Sequence, residues 1–312
     1  INFDDLQQTI MRALDPAKME VILVGDFDPK EAEMHFASYF GAMRGVGVVD
    51  PPRAIPDVRL TSNEDVTKLS VYDQENRAVV GFTGHLRGRW SMTDLDLQAF
   101  PGSYTTPKHA DKAFGSRCLT VLSEIINNRL YKEIREEQKL TYWVSFGLSY
   151  LDTHDFSIVT IRMSPLADRV EEAIGAVTLT LRNIVEGEIT EEEFNQAVSP
   201  MIAQCESNLK LNSYWVSLLS NVTSSNCVKD ASCIVKIREA YSSLTLEDVK
   251  AYGCGQLRGM PMQVTLGETR SYRNLQDILP DAPSVLGDLP LRTLPIIATG
   301  LALAIAGTSM LV

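Results

Sequence analysis

One plan occurs twice in this chain, and a duplicated unit leaves few folds open. Residues 3–25 (FDDLQQTIMRALDPAKMEVILVG) and residues 246–267 (LEDVKAYGCGQLRGMPMQVTLG) each pass from an acidic helix start and an apolar helix face, through a short break, into a strand ending in Gly. They align with one gap, from Phe3 and Leu246 to Gly25 and Gly267. A repeat spaced by about 240 residues reads as a duplicated domain. The chain is then expected to hold the end of one copy and the whole of the next. Helix–turn–strand units are common, so the echo alone leaves a chance likeness open. The first residue, Ile1 rather than Met, is in keeping with a piece of a longer product.

Between the two copies the apolar periodicity alternates between helix and strand. Asp28, Pro29 and Glu31 carry the signals of a capped helix start after the apolar run at 19–27. The proline-bearing stretch around residue 50 marks a domain boundary. Strands are expected at 67–73 and 77–84, then a long loop or insertion over 84–112. A helix follows from Ser116 to about Glu137, with Leu119, Leu122, Ile126, Leu130 and Ile134 on one apolar face. Residues 141–149 and 155–163 read as a hairpin turning at Asp152–His154. Ser164 and Pro165 look like the cap and first residue of a helix carried by Val170, Ile174, Val177, Leu181 and Ile184 to a stop at Gly187. Thr190 and Glu193 form a capping box for the next helix, which Pro200 should kink or shorten. Shorter helices are expected at 215–219 and 235–240, a last one from Thr245, and a closing strand at 260–267.

Charge and cysteine usage exclude several classes of function. A net charge of −11 and a pI near 4.9 oppose binding to nucleic acid, whose phosphates would repel the chain. The five cysteines have no C-x-x-C and no zinc-ribbon spacing, so reduced, mostly buried thiols are expected. A Cys227–Cys233 disulfide stays open for an oxidising compartment. Residues 293–312 (TLPIIATGLALAIAGTSMLV) contain no charge and are about long enough to cross a bilayer. Three readings of this tail stand: a membrane anchor, which its uncharged length favours, a cleaved lipid-anchor signal, and a helix of the fold.

No catalytic centre is written in the chain itself. The four histidines (His35, His85, His109, His154) include no H-E-x-x-H or H-x-x-E-H and no pair four residues apart. There is no nucleophile elbow and no phosphate-binding glycine loop. What remains is Arg135 and Tyr142, seven residues apart on either side of a predicted turn. A cation in a last helical turn meets the free carbonyls, and a strand tyrosine packs, so helix-end punctuation accounts for both. A functional pair would instead aim a cation and a phenol at a carbonyl, donating to the oxyanion that develops in hydrolysis.

The order GDFDP–helix–YFG, then LYKEIREEQKLTYWVS, a hairpin and EGEITEEEFNQA resembles the C-terminal half of the pitrilysin/insulinase family of zinc metallopeptidases, over residues 2 to 270. The resemblance implies an α+β fold, an antiparallel sheet packed by helices, in duplicated insulinase-type (LuxS/metallohydrolase-like) domains. It places the end of a preceding domain at 1–49, a complete C-terminal domain at 50–270, a linker at 271–292 and the tail at 293–312. It also implies that a zinc-bearing N-terminal half, upstream or in a separate subunit, holds the zinc through H-x-x-E-H. This half would close over it and contribute Arg135 and Tyr142 as substrate-binding residues, with an extended peptide adding to a sheet edge.

Departures from the family pattern are the missing zinc half, Pro200, the length of 84–112 and the hydrophobic tail. The function implied is a substrate-binding, chamber-closing half of a metalloendopeptidase, inactive alone. The rival is a non-catalytic structural or peptide-binding protein of the same fold, like a processing-peptidase or respiratory-complex core subunit.

Overall fold

The structure is a computed structural model, and it describes residues 2–13, 19–43, 67–72, 76–92, 109, 111–152, 156–222, 229–234, 236–258 and 260–270. The domain boundary near residue 50, the 153–155 turn, the linker and the hydrophobic tail lie outside these residues. So does most of the insertion expected at 84–112.

Five strands form one sheet: β1 (Thr67–Tyr72), β2 (Val79–Arg87), β3 (Thr141–Leu151), β4 (Phe156–Pro165) and β5 (Gln263–Arg270), in the order β1-β5-β2-β4-β3. All neighbours run antiparallel except β1 and β5, which pair in parallel. The α+β expectation holds, with that one parallel pair as an addition. Burial alternates along β2 and β4 with the two-residue pleat period, placing Val80, Phe82, Leu86, Val159, Ile161 and Met163 on one face.

The helix α3 (Phe114–Arg129) covers that face and continues without a break as a wider, π-helical stretch, Leu130–Glu137. The predicted stripe is buried as expected: Leu119 is 4% exposed, Leu122 1%, and Ile126, Leu130 and Ile134 0%. Each such side chain contributes roughly 1.5–3 kcal/mol by leaving water. α6 (Asn212–Leu219) follows α5 (Glu191–Asn208), α7 (Ile237–Ser242) packs on α5, and α3 is covered by α4 (Val170–Val185), α5 and α8. The last opens at Leu246–Asp248, widens to π at Val249–Cys254 and closes at Gly255–Leu257. It lies so close to α3 that a Cβ on Gly115 would overlap the Tyr252 ring.

Several local expectations need correcting. Ser164 and Pro165 do not start a helix. They end β4, where Pro165 pairs with Thr141, its carbonyl takes the Ala78 N–H at 2.9 Å, and the Ser164 N–H goes to Thr141 Oγ1 at 3.1 Å. The strand offers these groups partners that a helix start would not, and α4 begins instead after a short 3-10 turn, Ala167–Arg169. Pro200 neither ends nor shortens α5, which runs to Asn208. Gln196, whose carbonyl loses its usual donor, and Pro200 are both exposed, so solvent can serve that carbonyl.

The apolar run at 19–27 forms no strand. Val21 and Leu23 are about half exposed, and no described strand pairs with the run. The preceding helices, α1 (Phe3–Ala13) and α2 (Pro29–Tyr39), also leave their apolar side chains Leu6, Ile10 and Met34 exposed. By contrast, the Thr190–Glu193 box is complete, and Gly187 stops α4 with φ +92°. Cys118, Cys205 and Cys254 are buried free thiols and Cys233 is a free, half-buried one; Cys227 lies outside the described residues.

Candidate functional site

The turn from α3 into β3 brings Arg135 and Tyr142 together, and two irregularities set their positions. The first is the π-helical widening over Leu130–Glu137. It closes with Gln138 N–H on Glu133 O at 3.1 Å and Leu140 N–H on Ile134 O at 3.0 Å, with Lys139 in the left-handed region at φ +52°. Such widenings insert a residue and recur at functional sites.

The second irregularity is a bulge. Thr141 pairs with Pro165 and Val144 with Met163, so β3 spends one residue more than β4. Thr141 holds the bulge with its own hydroxyl, which accepts from the Trp143 and Ser164 N–H groups at 3.3 and 3.1 Å and donates to Trp143 O at 2.8 Å. As a result the consecutive residues Tyr142 and Trp143 are both exposed, at 72% and 47%.

Arg135 lies between two aromatic faces. Its guanidinium carbon is 4.6 Å from the Tyr131 ring centroid and 5.3 Å from that of Tyr142. Both fall within the range in which a cation is attracted to a ring face, about 0.5–1 kcal/mol each at an exposed site. Among the described residues no carboxylate salt-bridges Arg135. Its N–H donors and the Tyr142 hydroxyl are therefore available on the surface. Tyr131 and Trp143 were not singled out in the sequence. Their signals were present, Tyr131 one helical turn before Arg135 and Trp143 beside Tyr142.

The frame behind this surface is rigid. Arg129, at the point where α3 widens, donates to both carboxylate oxygens of Glu193, Nε to Oε1 at 2.5 Å and Nη2 to Oε2 at 2.8 Å, and to the Glu188 carbonyl. Glu193 also accepts the Thr190 N–H at 2.9 Å. Its hydrogen bonds from Arg129, and less so those from Thr190, hold its carboxyl at a pKa of about 2. The GEITEEEF segment thus ties α5 to the base of the turn, with Ile189 and Phe194 buried beneath it. From α4, Thr180 donates to Glu133 at 2.6 Å.

β3 ends the sheet, and part of its outer edge is already closed. Asn127 of α3 donates to Phe146 O at 2.9 Å and accepts the Phe146 N–H at 2.8 Å. An extended peptide cannot run the length of this edge. What it can reach is the bulged end, at Tyr142 and Trp143.

Another buried polar pair lies apart from this surface. His109 and Asp248, 2% exposed and fully buried, meet at 3.2 Å, and Asp248 also caps α8 through the Thr245 N–H. Among the described residues no three His, Cys, Asp or Glu side chains are grouped to hold a metal ion. With no H-x-x-E-H in the sequence either, the residues of this chain do not fit a family zinc site.

Residues 1–201 match the family described as the peptidase M16 inactive domain. The chain belongs to that family. Stromal processing peptidase of Oryza sativa subsp. indica is 28% identical over 273 residues, and that of Pisum sativum 27% over 274. Each match covers 80% of this chain and 22% of the relative, so the chain spans about a fifth of these relatives' length.

Among solved structures, a protease from Helicobacter pylori superposes with a TM-score of 0.66 at 14% identity, over 86% of this chain and 59% of that one. The periplasmic protease PqqL from Escherichia coli gives 0.58 at 14%, covering 79% and 25%. A peptidase M16 inactive domain from Pseudomonas fluorescens gives 0.55 at 16%, covering 80% and 53%. These likenesses establish the fold, the α+β arrangement shared with solved M16-family proteins.

Proposed function

We propose that this M16 inactive-type half binds the substrate of a metalloendopeptidase and closes its chamber, working with a zinc-bearing half in the same longer chain or in a separate subunit. The partner half would supply metal, water and general base. The observation that carries this reading is Arg135, half-buried, without a carboxylate partner among the described residues and held between the rings of Tyr131 and Tyr142 beside a bulged strand end. A charge serving only the fold would be spent on a carboxylate or on helix carbonyls. This one is pre-oriented and unspent, which suits a donor to a peptide carbonyl or to the oxyanion that forms from it.

Tyr142 would add a neutral donor seven residues away, and Trp143 a broad apolar contact for a peptide side chain. Because Asn127 closes the edge at Phe146, the peptide would be held over a short stretch and its identity read by side chains. The name of the plant relatives makes a segment removed during protein processing the first substrate to test.

The test uses the chain together with its zinc-bearing half. Arg135→Ala and Tyr142→Phe should each lower peptide turnover. Unchanged kinetics in both would favour the rival, a non-catalytic structural or peptide-binding protein of this fold.

A further inference from the structure

A cavity of about 420 Å³ opens on the helical side of the sheet, toward the end of β3 away from Arg135. Small-molecule sites fall in the range of about 300–1,000 Å³, mostly apolar with a few placed polar groups. This one lies between α3, α5, α7 and the segment after β2. Its lining includes Arg89 and Arg117 and, among the described residues, no Asp or Glu.

The donors and acceptors of the lining are unequally spent. Ser116, Thr120 and Ser123 donate their hydroxyls back into α3, at 2.7 to 2.8 Å. Tyr150 donates to Ser116 O at 2.9 Å, and Gln204 to Asn208 at 2.8 Å. Arg117 is neutralised by Asp111 at 2.7 Å and also donates to Cys233 O at 2.8 Å. Two buried donors of the lining are left over, and beside them one buried acceptor, Asp152 Oδ1, is unpaired as well.

Trp90 is 5% exposed, yet its Nε1 is buried with no hydrogen-bond partner. Arg89 sits with its guanidinium 4.7 Å above the Tyr150 ring, and its buried Nε is unpaired as well. The Asp152 Oδ1 atom is 3.8 Å from that Nε, too far for a hydrogen bond, and Asp152 Oδ2 faces Lys229 at 3.3 Å. Two cations thus share one carboxylate at this end of the cavity. A buried donor left unpaired costs about 1–3 kcal/mol, so two in one cavity point to an acceptor that belongs there.

We propose that this cavity binds a small planar carboxylate, whose oxygens take the Trp90 indole N–H and the Arg89 guanidinium and whose body lies among Tyr150, Tyr214 and Tyr241. Three features select this chemistry. The two unpaired atoms on lining residues, Trp90 Nε1 and Arg89 Nε, are donors, whereas the unpaired Asp152 Oδ1 belongs to a residue outside the described lining, so the ligand brings acceptors. The uncompensated charge is positive, so the ligand is an anion.

The third feature is the wall, which is aromatic and uncharged, so the ligand body is flat and apolar. Burial pushes the Tyr150, Tyr214 and Tyr241 phenols and the Cys205 thiol up, keeping that wall neutral at physiological pH. The chain as a whole carries −11, so affinity would come from these local contacts and not from long-range steering.

The experiment titrates the full chain with cinnamate and with its neutral isostere cinnamamide, following heat and tryptophan fluorescence. Cinnamate should bind one molecule per chain, and cinnamamide about 10- to 100-fold more weakly, the usual difference for a hydrogen bond to a charged group. Trp90→Phe keeps the ring and removes the N–H, and should weaken cinnamate to a similar degree. If that variant fails to fold, Arg89→Gln, on a side chain 38% exposed, carries the same expectation. Equal affinity for acid and amide, unchanged cinnamate affinity in a folded variant, or no saturation by the folded chain below about 10 mM would each overturn the proposal.

Discussion

Arg135 stacks on the face of Tyr142, cation to centroid 5.3 Å, although the two residues belong to a helix and a strand that run in different directions. The contact removes the freedom of both side chains before any peptide arrives. Removing either member should then affect the chemical step more than ground-state binding. In the proposed assembly with a zinc-bearing half, Arg135→Ala is expected to lower kcat by about 10²–10³, the usual cost of one oxyanion donor. Arg135→Lys should recover only part of this, since a lysine keeps the charge but loses the planar stack. Steady-state kinetics on one peptide check both.

Lys139 is strained where a glycine would not be. At φ +52° a residue with a Cβ pays about 1–2 kcal/mol in the left-handed region. Lys139→Gly should therefore stabilise the chain, by about 1 kcal/mol once the extra freedom of glycine in the unfolded state is deducted. A thermal melt moving up by a few degrees is the expected outcome. A fall would mean that Lys139 itself holds the turn.

Glu193 makes acid stability measurable. Its carboxyl is held at about 2, well below its ordinary value of 4.5, chiefly by Arg129. A depressed carboxyl contributes stability that is full above the unfolded value and is lost as pH falls through the folded one. The window is therefore about pH 4.5 down to about 2. Urea midpoints across it should fall more steeply in the wild type than in Glu193→Gln. Parallel curves would show that the pair adds nothing to stability.

The hydrophobic stretch 293–312 gives a separate prediction. We propose that it inserts in a membrane as a helix. The full chain should then resist carbonate extraction, while a chain ending at residue 288 is released. Equal release of both would remove the anchor.

The sequence made the core legible because burial leaves a period. The stripe from Leu119 to Ile134 and the alternation of β2 and β4 follow from 3.6 and 2 residues per repeat, whatever the tertiary detail. Ser164-Pro165 misled because a cap signal is local, whereas the bond from Ser164 N–H to Thr141 Oγ1 joins residues 23 apart. The same holds for the run at 19–27, whose strand needs a neighbour that no local pattern supplies.

Arg135 and Tyr142 were singled out through their spacing and the order of motifs around them. Their stacking, and the part of Tyr131 and Trp143 in it, depends on two irregular turns with no periodic signature. The cavity at Trp90 was invisible for a similar reason, since its walls come from segments more than a hundred residues apart.

Those two irregular turns have a consequence for how the chain tolerates insertions and deletions. The π-helical widening and the β-bulge each add one residue, on opposite sides of the same turn. Deleting one residue from the helix would rotate everything after it by about 100°, carrying Arg135 off the face it shares with Tyr131. Deleting one from the bulge would leave a single residue opposite Ser164 where Tyr142 and Trp143 now both face outward, and would shift the ring that Arg135 meets. Neither loss need unfold the domain, because the buried stripe ends at Ile134 and Val144 could recover its pairing. Length variants at this turn should therefore separate folding from recognition, yielding folded chains in which the pair no longer meets.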